Sequence, residues 1–96
     1  MTREEFFDRI AAHRPELVRA GVRRLGVFGS VARDEAGSES DVDILVEFED
    51  VPDLYEFAAL RERLAEILGR PVDLTTPQAL RQHLRSRVLD EVRYAA

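Results

Sequence analysis

The sequence has no cysteine, and none of its apolar runs is long enough to cross a membrane. The missing thiols exclude disulfides and thiolate metal sites. The first five residues are already polar and helix-like, so we expect no signal peptide. Together these absences favour a cytoplasmic protein without a membrane partner.

An excess of positive charge is also missing, because 14 Lys and Arg stand against 19 Asp and Glu, for a formal net charge of −5. A large nucleic-acid interface requires a basic face, so the composition argues against nucleic acid as a partner. A nucleotide held through a metal ion is still compatible with this charge. The 96 residues, 45% of them hydrophobic, suffice for one small domain over 1–96.

A Gly-Ser turn follows the first apolar strand, which we predict over residues 22–28. Gly29 lets the backbone approach a ligand closely because it has no Cβ. Ser30 would open a short helix whose first free N–H groups point at an anion. Arg33 is either a fork-shaped donor for a phosphate or the partner of Glu35 in a surface ion pair. The turn therefore predicts a phosphate site, with the role of Arg33 open.

Two carboxylates begin the second strand, predicted over residues 41–48. Asp41 and Asp43 share one face of it because strand side chains alternate, and the other face is apolar. Like charges this close repel unless a cation lies between them, and Mg²⁺ prefers oxygen ligands. Asp73, in a short strand-like run, is a third candidate ligand. The alternative is that Asp41 caps a turn and Asp43 is a solvated strand residue.

Two further features are weaker. Glu47 shares the strand face of the two acids but lies farther along, so it is a minor metal-ligand candidate. The last helix is basic, which indicates either a solvated face or contact with an acidic partner or a phosphate. The residues concerned are Arg81, Arg85 and Arg87.

Capping residues and hydrophobic spacing predict the remaining elements. In chain order they are a helix from Thr2, a helical turn at 15–20, a short helix at 30–34, a polar loop at 35–39 that contains Ser38, a helix at 53–68, a strand at 72–74 and a helix at 76–92. A full helix joins the second and third strands, so that pair should be parallel and right-handed. The short connection before it permits an antiparallel pair. We expect an α/β (α+β) fold with a small mixed three-stranded sheet, helices on one face and the acids on the other.

At this point the residues resemble a known family. The Gly29-Ser30-x-Ala32-Arg33 turn, the Ser40-Asp41-x-Asp43 strand and the Val72-Asp73-Leu74 strand are similar to the polymerase β-type nucleotidyltransferase superfamily. The short chain looks most like the minimal nucleotidyltransferases of prokaryotes, the MNT antitoxin group. The resemblance extends from residue 22 to about residue 92.

The resemblance implies roles for these residues. Gly29 and Ser30 would hold the triphosphate of ATP, Asp41 and Asp43 would bind two Mg²⁺, and Asp73 would complete the metal site and assist the acceptor hydroxyl. Antitoxins of this group transfer AMP to a tyrosine of a partner HEPN toxin. The competing hypotheses are a non-catalytic antitoxin that silences its partner by binding, and transfer to a small molecule.

One position departs from the family pattern. Family members often have glycine after the motif arginine, and this chain has Asp34. If the position requires a positive φ, aspartate is among the least unfavourable replacements. A further negative charge close to phosphates would still be unfavourable.

Overall fold

The computed structural model describes residues 1–37 and 39–95. Ser38, in the predicted polar loop, lies outside the described residues. The helices are α1 (Arg3–Ala12), α2 (Arg14–Arg19), α3 (Gly29–Ala32), α4 (Leu54–Leu68) and α5 (Gln82–Glu91), with a 3₁₀ turn at Pro77–Ala79. The strands are β1 (Val22–Phe28), β2 (Val42–Phe48), β3 (Val72–Thr75) and β4 (Arg93–Tyr94).

Local sequence signals account for the ends of the long helices. The Thr2 hydroxyl accepts the N–H of Glu5 and caps α1. Asp53 and Glu56 form a reciprocal capping box at the start of α4, and Gly69, with φ of 67°, ends that helix in the left-handed conformation. These caps fix two of the helices that enclose the core with the sheet.

The sheet has the strand order β3-β2-β1-β4. β1 pairs antiparallel with β2, and β2 pairs parallel with β3, which confirms both predicted strand pairings. The helix α4 makes the crossover between β2 and β3, as expected for a parallel pair. The outer strand β4 pairs antiparallel with β1.

The sheet has four strands where three were predicted, and the final helix is shorter than the predicted 76–92. The segment splits into the 3₁₀ turn and α5, and the chain then leaves the helix at Val92 to form β4. Gly26 makes this pairing possible, because a Cβ there would lie 2.8 Å from Val92 Cγ2 and 2.9 Å from the Arg93 carbonyl oxygen. The fourth strand therefore depends on a glycine in the neighbouring strand.

The main core lies between the sheet and α1, α2 and α4. From β2 it takes Val42, Ile44 and Val46, none of which is exposed, and from the helices it takes fully buried side chains such as Phe6, Ile10 and Leu64. Leu45 is also fully buried but lies outside this cluster, on the opposite face. The centre of β2 is thus buried on both sides, and helices α1, α2 and α4 leave the other face to the acids.

No helix in the described part of the chain combines the length and the apolar character that a membrane span requires.

Candidate active site

Strand register brings two of the predicted carboxylates side by side. Asp43 pairs with Phe28 of β1 on one side and with Asp73 of β3 on the other. Asp41 comes just before β2, where Val42 donates its N–H to the Pro71 carbonyl at 2.9 Å. The three acids therefore lie at the end of the sheet where β2 begins and β1 ends, on the face that the core helices leave open.

The electrostatics of this cluster are set by Asp43. Asp41 and Asp73 are exposed, whereas Asp43 is half-buried. Burial, reinforced by the charges of Asp73 and Asp41, raises the pKa of Asp43 to about 6, and Arg33 opposes the shift. The protein thus holds like charges together with too little positive charge to compensate them.

The Gly-Ser turn lies directly against this cluster. Gly29 has a φ of 73°, and a Cβ at this position would collide with the Asp43 carboxylate, 3.2 Å from its carboxyl carbon Cγ. A larger residue would therefore be strained by its backbone conformation and would also displace the acid. Glycine lets the predicted phosphate turn and the predicted metal ligand touch.

The turn already binds an anion, and the anion is a side chain of the same protein. The Gly29 N–H donates to Glu91 Oε1 at 2.5 Å, and Arg33 Nη1 donates to the same oxygen at 2.7 Å. Arg33 also pairs with Glu35 through Nε at 3.0 Å. These carboxylates raise the pKa of the Arg33 guanidinium, with Glu35 contributing most. Arg33 is thus a member of the turn and an ion-pair partner at once.

Ser30 lies in the first turn of α3, directly after Gly29. Its carbonyl accepts the N–H of Glu35 at 2.8 Å, which closes the turn behind it. Within residues 1–37 and 39–95, its hydroxyl makes no side-chain hydrogen bond. Ser30 thus directly follows the residue whose N–H binds the Glu91 carboxylate, in the turn where the sequence predicts a phosphate.

Sequence reasoning missed two residues of this region. Glu91 was missed because the last helix was considered only for its arginines, and Glu91 lies at its end. Arg70 donates to the carbonyl oxygens of Gly37, at 3.0 Å, and Ser40, and so fixes the segment that precedes Asp41. The available signal was the position of Arg70 between Gly69, which ends α4, and Pro71. Both neighbours constrain the backbone of this turn, so the Arg70 side chain is held close to the neighbouring strand.

Asp34 occupies a left-handed position with φ of 57°, so the positive φ considered for this site is present. Its carboxylate is directed to the start of α1, where Oδ1 accepts the Arg3 N–H at 2.7 Å and Oδ2 lies 3.9 Å from Arg3 Nη2. The charge that could disfavour phosphate is therefore engaged with α1.

The two weaker predictions concern Glu47 and the basic last helix. Glu47 forms an ion pair with Arg24 at 3.7 Å, which gives it a structural partner farther along β2. Arg81, which precedes α5, and Arg85 and Arg87 within it are all exposed, and none of the three forms an ion pair among the residues described.

The donor set fits magnesium when the substrate supplies part of the coordination. In the described residues, no three acidic or histidine side chains converge closely enough to hold a metal ion by themselves. Mg²⁺ usually takes one or two protein carboxylates and completes its shell with water and substrate phosphates. Asp43 and its two acidic neighbours, next to a turn that binds an anion, are carboxylates of the kind that such a shell takes from a protein.

Comparisons with known proteins identify the family of this chain. A model of the nucleotidyltransferase domain family matches residues 9–95. The protein adenylyltransferase MntA of Thermococcus cleftensis is 47% identical over 95 residues, which cover 98% of this chain and 96% of that protein.

Solved structures also match the fold of this chain. One described as a minimal nucleotidyltransferase has a TM-score of 0.83 and 40% identity, with 97% of this chain and 95% of that chain covered. The structure of a tri-AMPylated Shewanella oneidensis HEPN toxin in complex with MNT antitoxin matches with a TM-score of 0.60 and 20% identity, over 90% of this chain and 71% of that chain. At that identity the likeness concerns the fold alone.

Proposed function

Because the chain belongs to the nucleotidyltransferase domain family, we propose that it transfers AMP from ATP to a hydroxyl of a HEPN-type partner and so acts as an antitoxin. The observation that supports this most directly is the contact between Gly29 and the Asp43 carboxylate. It brings a donor for phosphate and a ligand for the accompanying cation to the same point. Nucleotidyl transfer needs both, since its catalysis consists mainly of positioning and charge neutralisation.

The turn residues bind the triphosphate in this proposal. The Gly29 N–H and the Arg33 guanidinium already hold a carboxylate, so both point at a common anion position. Ser30 adds a hydroxyl beside them. Asp41 and Asp43, with Asp73, would hold Mg²⁺, which when bound neutralises the charge of the phosphates and of the transition state.

Asp73 takes the proton in the transfer step. The acceptor hydroxyl oxygen attacks the α-phosphorus and forms the new P–O bond, while the bond from the α-phosphorus to the bridging oxygen breaks. Pyrophosphate leaves with that electron pair, and the hydroxyl proton passes to the Asp73 carboxylate. Asp73 is exposed on the edge strand β3, so an incoming hydroxyl can reach it.

The acceptor arrives on another protein. The acid cluster is an open surface with two exposed carboxylates, and among the described residues no second wall covers it. A partner surface would supply the second wall of the site. The relative named above is a protein adenylyltransferase, and the fold neighbour is solved with an AMPylated HEPN toxin, which together favour a HEPN protein as the acceptor. The resemblance to the MNT antitoxin group implies that the acceptor group is a tyrosine hydroxyl.

The test is to incubate the chain with ATP, Mg²⁺ and the HEPN-type protein encoded next to it, and to measure the partner's mass. We expect one or more AMP units to be added. Asp73→Asn should slow this addition about a hundredfold or more while the two proteins still form a complex. Glu47→Gln is the matched control, because it removes an acid from the same sheet face that is already paired with Arg24.

If the wild type and Asp73→Asn neutralise the partner equally well and without any mass change, the proposed AMP transfer is wrong. The chain would then inhibit its partner by binding alone. Mass addition to a small-molecule acceptor but not to the protein would reject the HEPN partner.

A further inference from the structure

We propose that the Glu91 carboxylate is a built-in competitor for the phosphate chain, and that a nucleotide enters the Gly29–Arg33 position only by displacing it. This inference rests on the proposed nucleotide site and adds a residue that sets its apparent affinity. Glu91 Oε1 accepts from both donors of the turn, at 2.5 Å from Gly29 N and 2.7 Å from Arg33 Nη1. One oxygen thus uses a backbone donor and a guanidinium donor that a phosphate oxygen would use.

The fold places Glu91 there through the fourth strand. β4 pairs with β1 so that Arg93 lies opposite Val27 and Tyr94 opposite Gly26. Glu91 ends α5 just before this pairing, and Gly29 begins α3 just after β1, so the pairing brings the two segments together. The Glu91 side chain then spans the remaining distance to the Gly29 N–H.

The Glu91 carboxylate is held weakly enough to be displaced from the turn. No residue of α5 is buried, and the side chains of Glu91 and Arg33 are 22% and 43% exposed. The buried residue next to it is Val92, which belongs to the start of β4. The Glu91 carboxylate can consequently leave by rotation of its own side chain, while β4 stays paired with β1.

Competition has a simple effect on binding. A ligand that needs the turn binds only to the fraction of molecules in which Glu91 has released it, and its apparent dissociation constant rises by the inverse of that fraction. A polyphosphate carries several charged oxygens and overcomes a single carboxylate, whereas a weaker anion does so poorly. Glu91 would therefore favour nucleotides with a full phosphate chain.

A structural role for Glu91 predicts the opposite result. If the residue only tied α5 to the turn, its loss would loosen Gly29 and Arg33, and nucleotide affinity would fall. The two hypotheses differ in the sign of the change, so a single binding measurement separates them.

The experiment measures binding of AMP-PNP with Mg²⁺ by calorimetry to the full chain. Glu91→Gln keeps the shape but loses the charge that strengthens both hydrogen bonds, and we expect about fivefold tighter binding. Glu91→Asp keeps the charge but shortens the reach by one methylene, and should also bind more tightly. Asp90→Asn is the control: it removes one negative charge from the neighbouring exposed position, and should change affinity less than twofold.

A second measurement uses the protein without nucleotide. The backbone amide resonance of Gly29 should shift in Glu91→Gln and stay in place in Asp90→Asn, because Glu91 accepts that N–H and Asp90 does not. Equal or weaker AMP-PNP binding by both Glu91 variants would overturn the competitor while leaving the nucleotide site in place. Failure of wild type and variants alike to bind would overturn the competitor and the proposed function together.

Discussion

The two faces of β2 differ in burial and in charge. Val42, Ile44 and Val46 point to the helices and are fully buried, and each contributes about 1.5–3 kcal/mol through the apolar surface it removes from water. The opposite face carries Asp43 half-buried, beside Asp73 and near Asp41, where burial and like charge both disfavour the ionised form. The first face stabilises the fold, whereas on the second, where Leu45 is also buried, the acids lower the stability.

This difference indicates which face of β2 carries the function. A cluster of like charges that the fold does not compensate has no structural benefit, and stability given up at a site is the usual consequence of activity. The apolar face gives the strand its place in the sheet, so the acids on the other face stay in register although they repel one another. We therefore expect substitutions on the two faces to separate activity from stability.

The largest effect should come from removing the acids. Asp41→Asn combined with Asp43→Asn should lower AMP transfer at least about a thousandfold, which corresponds to about 4 kcal/mol in activation free energy. The same variant should unfold in urea at an equal or higher concentration without metal, because the repulsion is gone. Transfer assays and urea titrations on the same preparation measure both. Wild-type transfer rates in the double variant would show that these acids do not hold the metal.

A buried neighbour of Asp43 should behave in the opposite way. Ile44→Ala removes methyl groups that no solvent reaches, and should lower the free energy of unfolding by about 3 kcal/mol. Ile44→Val is the matched control and should lower it by about 1 kcal/mol. Denaturant titration measures both, and AMP-PNP affinity at low temperature, where the alanine variant stays folded, should change little. An alanine variant as stable as the valine variant would mean that the two faces do not divide the work in this way.

Much of the fold could be predicted from local signals. The alternation in β2, the capping residues of α4 and the Gly69 stop each act over a few residues, and the structure confirms the strand and the helix they predict. The crossover rule gave the parallel pairing of β2 with β3, and with it the neighbouring positions of Asp43 and Asp73. The resemblance to minimal nucleotidyltransferases is likewise confirmed by the comparisons.

The missing strand shows the limit of local signals. β4 has two residues, too few to produce an alternating pattern, and it forms because Gly26 leaves room for Val92 and Arg93. The two partners are far apart in sequence, so no window of neighbouring residues contains the signal. Glu91 escaped prediction for the same reason, since its contact with Gly29 depends on that pairing. The assignment of roles to the site residues stays a prediction.

The smallest effect concerns pH and separates Asp43 from ordinary carboxylates. Its pKa is raised from 3.8 to about 6 by burial first and then by Asp73 and Asp41. Between these two values the folded protein binds more protons than the unfolded chain, so this group makes stability fall as the pH rises from about 4 to about 6. Above that range the full penalty applies. A shift of roughly two units in a dry interior would correspond to about 3 kcal/mol, and solvent at this half-buried group reduces it to about 1 kcal/mol.

Asp43→Asn should consequently be more stable than the wild type by about 1 kcal/mol at pH 7.5, and the difference should shrink towards pH 4.5 as Asp43 takes up its proton. Urea titrations at both pH values, in a chelator that removes divalent cations, measure this directly. Glu16 provides an internal contrast, because its pKa is lowered by the hydrogen bond from Arg63 and its contribution to stability is lost only as the pH falls through the lowered value. Adding Mg²⁺ at pH 7.5 should stabilise the wild type and leave Asp43→Asn unchanged. A variant advantage that is equal at both pH values would show that Asp43 is not held against its charge, and the contrast between the two faces of β2 would then rest on activity alone.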